Sequence, residues 1–376
     1  MYVQKIITKE NKTRYMLLDD EDNVIEPVLK YLKYLDSRRM ALNTLKNYAY
    51  HLKLYFEYLQ DIGCAYDCIT DDRKELDILS GFITYLTRYD LKVIYTEYAE
   101  RPERRNSATI NAILSAILSF YEYLYRNGEM RELNVYKNGG FSSFKGFLYE
   151  MGTKKKSVRT SILKLNDKQK PLQVIKREEM DILINHCRYI RDKFLLTLLF
   201  ETGLRLGEAL GLRKSDFVIW DSKVRIVSRD NSENGVSVKN KSEGELVIPQ
   251  SLVGLYCTYI ETEYIENDNE YIFVNLKGPH KGKAMKEVTI HKLFYRLSKE
   301  CGIKVTPHML RHSHATELIE VGGWDPVDVK ERLRHRQIQT TINTYVHLSD
   351  KYKKEKFNEF QEKIHSNDSD KNKSDK

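Results

Sequence analysis

The stretch TPHMLRHSHAT, residues 306–316, combines the start signals of a helix with two side chains suited to anion chemistry. Thr306 is a good N-cap residue, and Pro307 suits the first helical position because its missing N–H needs no partner there. His308 and Arg311 then lie three residues apart on one face of the first turn. A proton-shuttling imidazole and a permanent cation beside free backbone N–H groups favour the handling of a phosphate.

The same helix raises the alternative of a metal site. His308 and His312 have the four-residue spacing of a helical zinc pair. The residues between them are Met, Leu and Arg, so no glutamate is present to act as a base, and the arginine would repel a cation. Cys64 and Cys68 form a lone CxxxC with no second pair. We therefore predict no metal and no cofactor.

A second segment, TGLRLGEALGL at residues 202–212, predicts a helix end, a tight turn and a new helix. Gly203 ends the first helix. Arg205 falls at the turn, where an arginine can point out of the packed framework. We interpret Glu208 and Asp216 as positioning Arg205 or as caps rather than as metal ligands.

A third segment lies towards the end of the chain, where RLRH at residues 332–335 is followed ten residues later by Tyr345. Asp325 and Pro326 are expected to cap the helix that delivers His335. Thr340 can cap a short helix that bears Tyr345. The chain has 26 tyrosines, so most of them must serve packing.

Composition favours a nucleic-acid partner. The 376 residues exceed one ordinary core and indicate two domains and a tail, and the net charge is +8. No apolar run approaches the ~20 residues of a membrane span, and MYVQKIITKE lacks the apolar stretch of a signal peptide. The five cysteines are scattered and odd in number, which favours reduced thiols in a cytosol.

Hydrophobic periodicity divides the chain into six segments. Alternation before and after Glu10 predicts a β-hairpin, and three- and four-residue spacing from Glu26 onward predicts helices. The predicted segments are a β-hairpin extension over 1–25, a helical unit over 26–130, a basic linker over 131–172, a second domain over 173–350, a C-terminal amphipathic helix over 351–365, and a disordered tail over 366–376. The second domain is expected to hold a small antiparallel sheet among helices.

Three basic clusters are candidates for binding a DNA backbone. Two are expected at helix starts, where free N–H groups and the helix dipole favour phosphates, and the third lies in the linker. The alternative for each cluster is a solvated polar face. The candidate DNA-binding residues are Arg38, Arg39, Lys46, Arg101, Arg104, Arg105, Lys154, Lys155 and Lys156.

The order of the candidate residues resembles the tyrosine recombinase (phage integrase) family. TGLRLGEALGL, TPHMLRHSHAT, and LRH followed by Tyr345 are each similar to one of the family's motifs, over about residues 175–350. One departure is Arg334, which stands where the family usually has glycine and leaves the local backbone uncertain. The hairpin and the insert at 229–244 resemble recombinases carried by transposons and other mobile elements.

The resemblance implies a mainly α fold, a two-lobed DNA clamp with a helical core-binding domain and a catalytic domain. It also implies an attack by Tyr345 on a phosphodiester that leaves a 3′-phosphotyrosine and a free 5′ hydroxyl. Arg205 and Arg311 would hold the non-bridging oxygens, His308 would assist deprotonation of Tyr345, and His335 would hydrogen-bond the phosphate.

The family also places a lysine in a β-hairpin turn, where it would protonate the leaving oxygen. Counting back from Pro249 gives Lys241, whereas reading forward from Asn234-Gly235 gives Lys239. Both remain candidates, with a slight preference for Lys241.

Further implications concern partners. We expect specific recombination sites on double-stranded DNA, a homotetramer on that DNA with a C-terminal segment exchanged between protomers, and help from accessory recombinases or DNA-bending proteins. A cytoplasmic, nucleoid-associated location follows. Two alternatives are a type IB topoisomerase-like enzyme, which would relax supercoils without paired sites, and a regulator with an abandoned active site, which would form no covalent DNA adduct.

Overall fold

The computed structural model describes residues 1–9, 12–69, 71–87, 105–138, 159–166, 173–229, 231, 233–236, 243–264 and 268–334. The chain separates into two compact units, Met1–Gln169 and Lys170–Lys376. Both are mainly helical with small antiparallel sheets, as the sequence predicts. In the part of the chain that is described, no helix has the length and apolar character needed to cross a membrane.

The first unit begins with an antiparallel hairpin. Strand β1 (Tyr2–Ile7) pairs with β2 (Thr13–Leu18) in a register that sets Tyr2 opposite Leu18. Side chains alternate across a strand, but the last two residues of β2, Leu17 and Leu18, are both buried. Leu17 joins the core formed by the helices that follow.

Four helices follow among the described residues of this unit: α1 (Glu26–Ser37), α2 (Leu42–Asp61), α3 (Asp72–Thr87) and α4 (Ser107–Arg126). Their core is rich in aromatic rings. Tyr55 and Tyr121 are fully buried, with their hydroxyl oxygens 2.7 Å apart. Tyr121 donates to the carbonyl oxygen of Tyr66 at 2.9 Å, so Tyr55 donates to Tyr121. Burial is tolerated because each hydroxyl has a partner.

The predicted linker over 131–172 is partly wrong, because its described ends belong to the first unit. Strand β3 (Tyr136–Asn138) pairs with β4 (Arg159–Ser161). Leu133, Val135 and Leu163 are buried in the helical core. Burying these apolar side chains in the core is favourable, whereas a solvated linker would leave them exposed to water.

The prediction that all cysteines are reduced is also wrong, because Cys64 and Cys68 form a disulfide. Their Cα atoms are 6.2 Å apart, which a turn after α2 makes short enough for bridging. The remaining three cysteines, Cys187, Cys257 and Cys301, are free.

In the second unit, helices surround a three-stranded sheet of order β5-β6-β7. The strands β5 (Phe217–Val218), β6 (Lys223–Ile226) and β7 (Gly244–Val247) form the small antiparallel sheet that the sequence predicts. The helices are α5 (Arg177–Asn185), α6 (Ile190–Thr202), α7 (Leu206–Leu210), α8 (Gln250–Thr262), α9 (Glu287–Cys301), α10 (Pro307–Glu320) and α11 (Pro326–Arg332).

Helix α6 lies at the centre of this unit. Phe194, Leu195, Leu198 and Leu199 on it are completely buried, and α8 and α10 both pack against it. A helix that is apolar nearly all round must be buried on several sides. The central position of α6 brings its C-terminal end, at Gly203, to the other segments of the candidate site.

Candidate active site

Arg205 lies at the start of α7, as the sequence predicts. Gly203 ends α6 in the left-handed conformation (φ +61°), which reverses the chain and makes Arg205 the N-cap of α7. Its side chain is 24% exposed. It is therefore held by the framework while still reaching solvent.

Glu208 holds Arg205 in place through two hydrogen bonds. Its Oε1 accepts from Arg205 Nη1 at 2.7 Å, and its Oε2 accepts from the Arg205 backbone N–H at 2.9 Å. Burial alone would raise the pKa of Glu208, but the charge of Arg334 and the bonds from Arg205 outweigh it, so the pKa lies below its usual value. Glu208 is thus a buried carboxylate that orients Arg205, as the sequence indicates. Asp216 is a cap, since it accepts from the backbone N–H of Arg213 at 2.9 Å.

Arg311 joins the three sequence segments. It is only 3% exposed, and its Nη1 donates to the carbonyl oxygen of Gly203 at the end of α6. Its Nη2 donates to the carbonyl oxygen of Leu333 at the end of α11, at 2.6 Å. Two of the five N–H donors of a guanidinium are therefore bonded to backbone carbonyls. The sequence did not indicate this role of Arg311.

The first turn of α10 has the predicted start. Thr306 accepts from the Met309 backbone N–H at 3.2 Å, and Pro307 is the first helical residue. His308 is exposed, and its ring centroid lies 4.7 Å from that of His312. Burial, with the charges of His308 and Arg311, lowers the pKa of His312 to about 4, so His312 is neutral at pH 7.

His314, on the other face of α10, is a buried neutral histidine. It is 5% exposed, and burial first, then the charges of Arg332 and Arg311, lower its pKa to about 3. It forms a hydrogen bond with the backbone of Phe200. Its Nε2 has no hydrogen-bond partner among the described residues. We assign it to packing beside Gly203, where a Cβ would approach the His314 ring to 2.8 Å.

Arg334 has the backbone of a glycine position, with φ +53°. Its Nη2 donates to Glu208 Oε2 at 2.7 Å, and its side chain is only 8% exposed. Arg334 therefore adopts the left-handed conformation that glycine would have at this position of the family pattern. Asp325 caps α11 as predicted, accepting from the Val327 backbone N–H at 2.7 Å.

The structure brings Arg205, Arg311 and the residue before His335 to one place in the second unit. Of the other candidate catalytic residues, His308 lies on the first turn of α10, whereas His335, Tyr345, Lys239 and Lys241 lie outside the described residues. So do the C-terminal helix and tail predicted from residue 351 onward.

The basic clusters of the first unit occupy different positions. Arg38 is the C-cap of α1 and Arg39 follows it with φ +56°, so these two lie at a helix end rather than at the predicted start. Lys46 is one turn into α2. Arg105 precedes the N-cap of α4, Asn106, as expected. Arg101, Arg104, Lys154, Lys155 and Lys156 lie outside the described residues.

Within the described ranges, no group of three or more His, Cys, Asp or Glu side chains is arranged to hold a metal ion.

Comparison with known proteins gives these motifs a family. Residues 173–352 match the model of the "Phage integrase family", and residues 28–128 match "Phage integrase, N-terminal SAM-like domain". The chain is 38% identical to transposase A from transposon Tn554 of Staphylococcus aureus, over 96% of this chain and 99% of that protein. The chain belongs to the phage integrase family. It is a tyrosine recombinase, an enzyme that cleaves and rejoins DNA strands in site-specific recombination.

Other relatives agree with this assignment. Tyrosine recombinase XerS of Streptococcus pyogenes is 26% identical over 85% of this chain and 91% of its own length. Among solved structures, the Tn1549 transposon integrase bound to transposon right end DNA has a TM-score of 0.60 at 15% identity, covering 89% of this chain and 98% of that one. XerH recombinase bound to a difH substrate has a TM-score of 0.57 at 21% identity, and the match covers 89% of this chain and 84% of that one. These structures share the fold of the tyrosine recombinase.

Proposed function

We propose that this tyrosine recombinase is the transposase of a mobile element, and that it acts on the ends of that element. The observation that carries the proposal is the 38% identity to transposase A of Tn554, which extends over 96% of this chain and 99% of the relative. Identity to XerS is lower, at 26%, and covers less of both chains. Integration, excision and dimer resolution are the competing uses of the same chemistry.

In the proposed mechanism, Tyr345 attacks the scissile phosphorus while arginines stabilise the charge that grows on the non-bridging oxygens. Arg205 supports this role by its position, because Glu208 fixes one face of its guanidinium and the side chain still reaches solvent. Arg311 lies in the same part of the unit and stays protonated at any working pH. Preorganised cations cost no rearrangement at the moment of reaction.

Proton transfers complete the proposed mechanism. Tyr345 has an intrinsic pKa near 10 and must lose its proton as it attacks. His308 is the proposed acceptor, supported by its exposed position on the first turn of α10. His335 would hydrogen-bond the phosphate, and Lys241 or Lys239 would protonate the 5′ oxygen. The phosphotyrosine keeps the energy of the phosphodiester, so rejoining requires no ATP.

We further propose that the two units close around a DNA duplex as a clamp and that four protomers assemble on two sites. Residues 351–365 would exchange between protomers, and accessory recombinases or DNA-bending proteins would assist. The backbone contacts proposed for the first unit are Arg38, Arg39, Lys46, Arg101, Arg104 and Arg105, with Lys154, Lys155 and Lys156 following along the duplex. A cytoplasmic location at the nucleoid fits this work.

The test is a covalent trapping assay without magnesium or ATP. Duplexes from both ends of the element that encodes the protein carry a nick near the suspected crossover, so that the cleaved strand diffuses away and the adduct accumulates. Wild-type protein and Tyr345→Phe are compared on a denaturing gel. Matched duplexes with scrambled end sequences serve as the DNA control.

An adduct that wild type forms on the element ends, and that Tyr345→Phe does not form, is the expected result. Equal trapping on the scrambled duplexes would contradict site-specific action on the element ends. Adducts on a chromosomal site but not on the element ends would replace transposition with dimer resolution. Relaxation of supercoiled plasmid lacking the ends would favour a topoisomerase.

A further inference from the structure

We propose that Arg334 is a positioning residue of the active site, which shares Glu208 with Arg205 and so lets Glu208 orient Arg205 without cancelling the positive charge of the site. The proposal rests on the proposed strand cleavage at the element ends, and it names a further residue that supports this reaction. Arg334 follows Leu333, the C-cap of α11, and comes directly before His335.

The three side chains form one bonded cluster. Glu208 Oε1 accepts from Arg205 Nη1 at 2.7 Å. Glu208 Oε2 accepts from Arg334 Nη2 at 2.7 Å and from the Arg205 backbone N–H at 2.9 Å. The Glu208 side chain has 0% exposure, so both of its oxygens depend on these donors. Hydrogen bonds to both oxygens hold the carboxylate in one orientation, and the carboxylate in turn holds the Arg205 side chain in place.

The charge balance of the cluster explains why a second arginine matters. Arg205 and Glu208 alone would be neutral, whereas two guanidinium groups and one carboxylate give a net charge of +1. Charges in a buried site are poorly screened by water and act strongly on their neighbours. A phosphodiester carries one negative charge, and more develops on its oxygens during attack. The cluster therefore keeps a net positive charge. Arg205 is the member of the cluster whose side chain reaches solvent.

The backbone of Arg334 supports a role for its side chain. At φ +53° the Cβ of an ordinary residue is crowded, and glycine adopts this conformation at no such cost. The Arg334 backbone N–H is bonded to the Glu331 carbonyl at 2.9 Å, so the turn itself would also suit glycine. The bond from the Arg334 guanidinium to Glu208 helps to offset the steric cost of an arginine at this turn.

A purely structural alternative is that Arg334 pins the end of α11 to α7. Arg334→Gly removes the guanidinium without adding backbone strain, so any loss of stability reports the contacts of the guanidinium alone. Folding of the second unit is followed by tryptophan fluorescence, since both tryptophans, Trp220 and Trp324, lie in it. Ser222→Gly supplies the matched control for stability, because Ser222 lies in the same unit and has a similar φ, +48°.

The cleavage experiment measures the single-turnover rate of adduct formation on the nicked element-end duplex, with DNA binding measured separately. We expect Arg334→Gly to bind DNA within about twofold of wild type and to cleave at least about tenfold more slowly, as for loss of one preorganised charge. Arg334→Lys should recover part of the rate, because it keeps the charge but not the planar fork. Arg188→Ala, which removes an exposed arginine of the same unit, should cleave normally.

Two further measurements show whether Arg334 acts through Glu208 and through charge. In a Glu208→Gln background, Arg334→Gly should cost much less than it does in wild type. On a duplex whose scissile phosphate is an uncharged methylphosphonate, the Arg334→Gly defect should shrink as well. A pin without an electrostatic role would give the same defect on both duplexes.

The proposal is overturned if Arg334→Gly cleaves at the wild-type rate, if its defect matches its loss of folded protein, or if the defect persists unchanged on the methylphosphonate duplex. Wild-type adduct formation is the internal control, and its failure would count against the proposed element-end activity instead. In that case a double-mutant cycle still tests the shared cluster. The free energies of unfolding in urea are measured for Arg334→Gly, Glu208→Gln and the double variant, and additive losses of stability would rule out the cluster.

Discussion

Arg311 Nη2 donates to the carbonyl oxygen of Leu333 at 2.6 Å, across 22 residues of sequence. Leu333 is the C-cap of α11 and is completely buried, so its carbonyl has no access to bulk water. The other arm of Arg311 bonds the carbonyl of Gly203. One arginine therefore satisfies two buried helix ends, and it sets the distance between Arg205 and the residues that follow α11.

Arg311→Lys is expected to destabilise the second unit by about 2–3 kcal/mol, because an ammonium group cannot reach both carbonyls and one buried acceptor is left unbonded. The measurement is urea unfolding followed by tryptophan fluorescence. Arg188→Ala, which breaks an exposed ion pair with Glu300, is the control and should change stability by less than about 1 kcal/mol. Equal effects of the two variants would contradict the bridging role of Arg311.

Gly203→Ala is expected to destabilise the second unit by about 2–4 kcal/mol. A left-handed φ of +61° costs about 1–2 kcal/mol for a residue with a Cβ. The new Cβ would also lie 2.7 Å from Leu333 Cδ2 and 2.8 Å from His314 Cδ2. Chemical denaturation checks the loss, and the trapping assay should show slower cleavage because Arg205 follows directly.

The control for this glycine is Gly254→Ala. Gly254 lies within α8, and a Cβ there would meet no atom within 4 Å. Alanine should stabilise the helix by about 0.5–1 kcal/mol. A loss of stability in both variants would show that the conformation of Gly203 is not the cause.

His314 should make the second unit less stable at mildly acidic pH. Its pKa is about 6.5 in an unfolded chain and is lowered to about 3 by burial in the folded one. Below pH 6.5 the unfolded chain therefore binds a proton that the folded chain refuses, and this contribution to stability is lost as the pH falls towards 3. At pH 5 the loss amounts to about 2 kcal/mol.

The comparison is between wild type and His314→Gln, unfolded in urea at pH 7 and pH 5. The difference between the two free energies of unfolding should shift in favour of the variant by that amount. His186→Gln, at an exposed histidine of the same unit, serves as the control. A difference that does not depend on pH would mean that His314 is charged or solvated in the folded protein.

Tyr121→Phe is expected to destabilise the first unit by about 1–2 kcal/mol. The hydroxyl of Tyr121 accepts from Tyr55 and donates to the carbonyl of Tyr66, so its removal leaves a donor and an acceptor unbonded. Hydrogen exchange of α2 and α4, measured by mass spectrometry in the full chain, localises the effect. Tyr125→Phe, on the exposed side of α4, should leave exchange unchanged.

Much of the local structure could be predicted from the sequence. The hairpin strands, the start of α10 at Thr306 and the end of α6 at Gly203 follow from alternation, capping chemistry and glycine. Helix α8 was not predicted, although its buried positions, Leu252, Val253, Tyr256 and Tyr259, have the three- and four-residue spacing of a helix face. The disulfide was not predicted either, because its formation depends on the distance between Cys64 and Cys68 after the turn.

For this tyrosine recombinase, the sequence by itself determined the family, most of the helices and strands, and the candidate residues of the site. These depend on local propensity and on motifs that are written in neighbouring residues. Only the tertiary structure decided what those residues contact. The pairing of Glu208 with Arg334 and the bonds of Arg311 to Gly203 and Leu333 join segments 126, 108 and 22 residues apart. Such contacts arise because packing around α6 brings three helix ends together, and no local pattern specifies that arrangement.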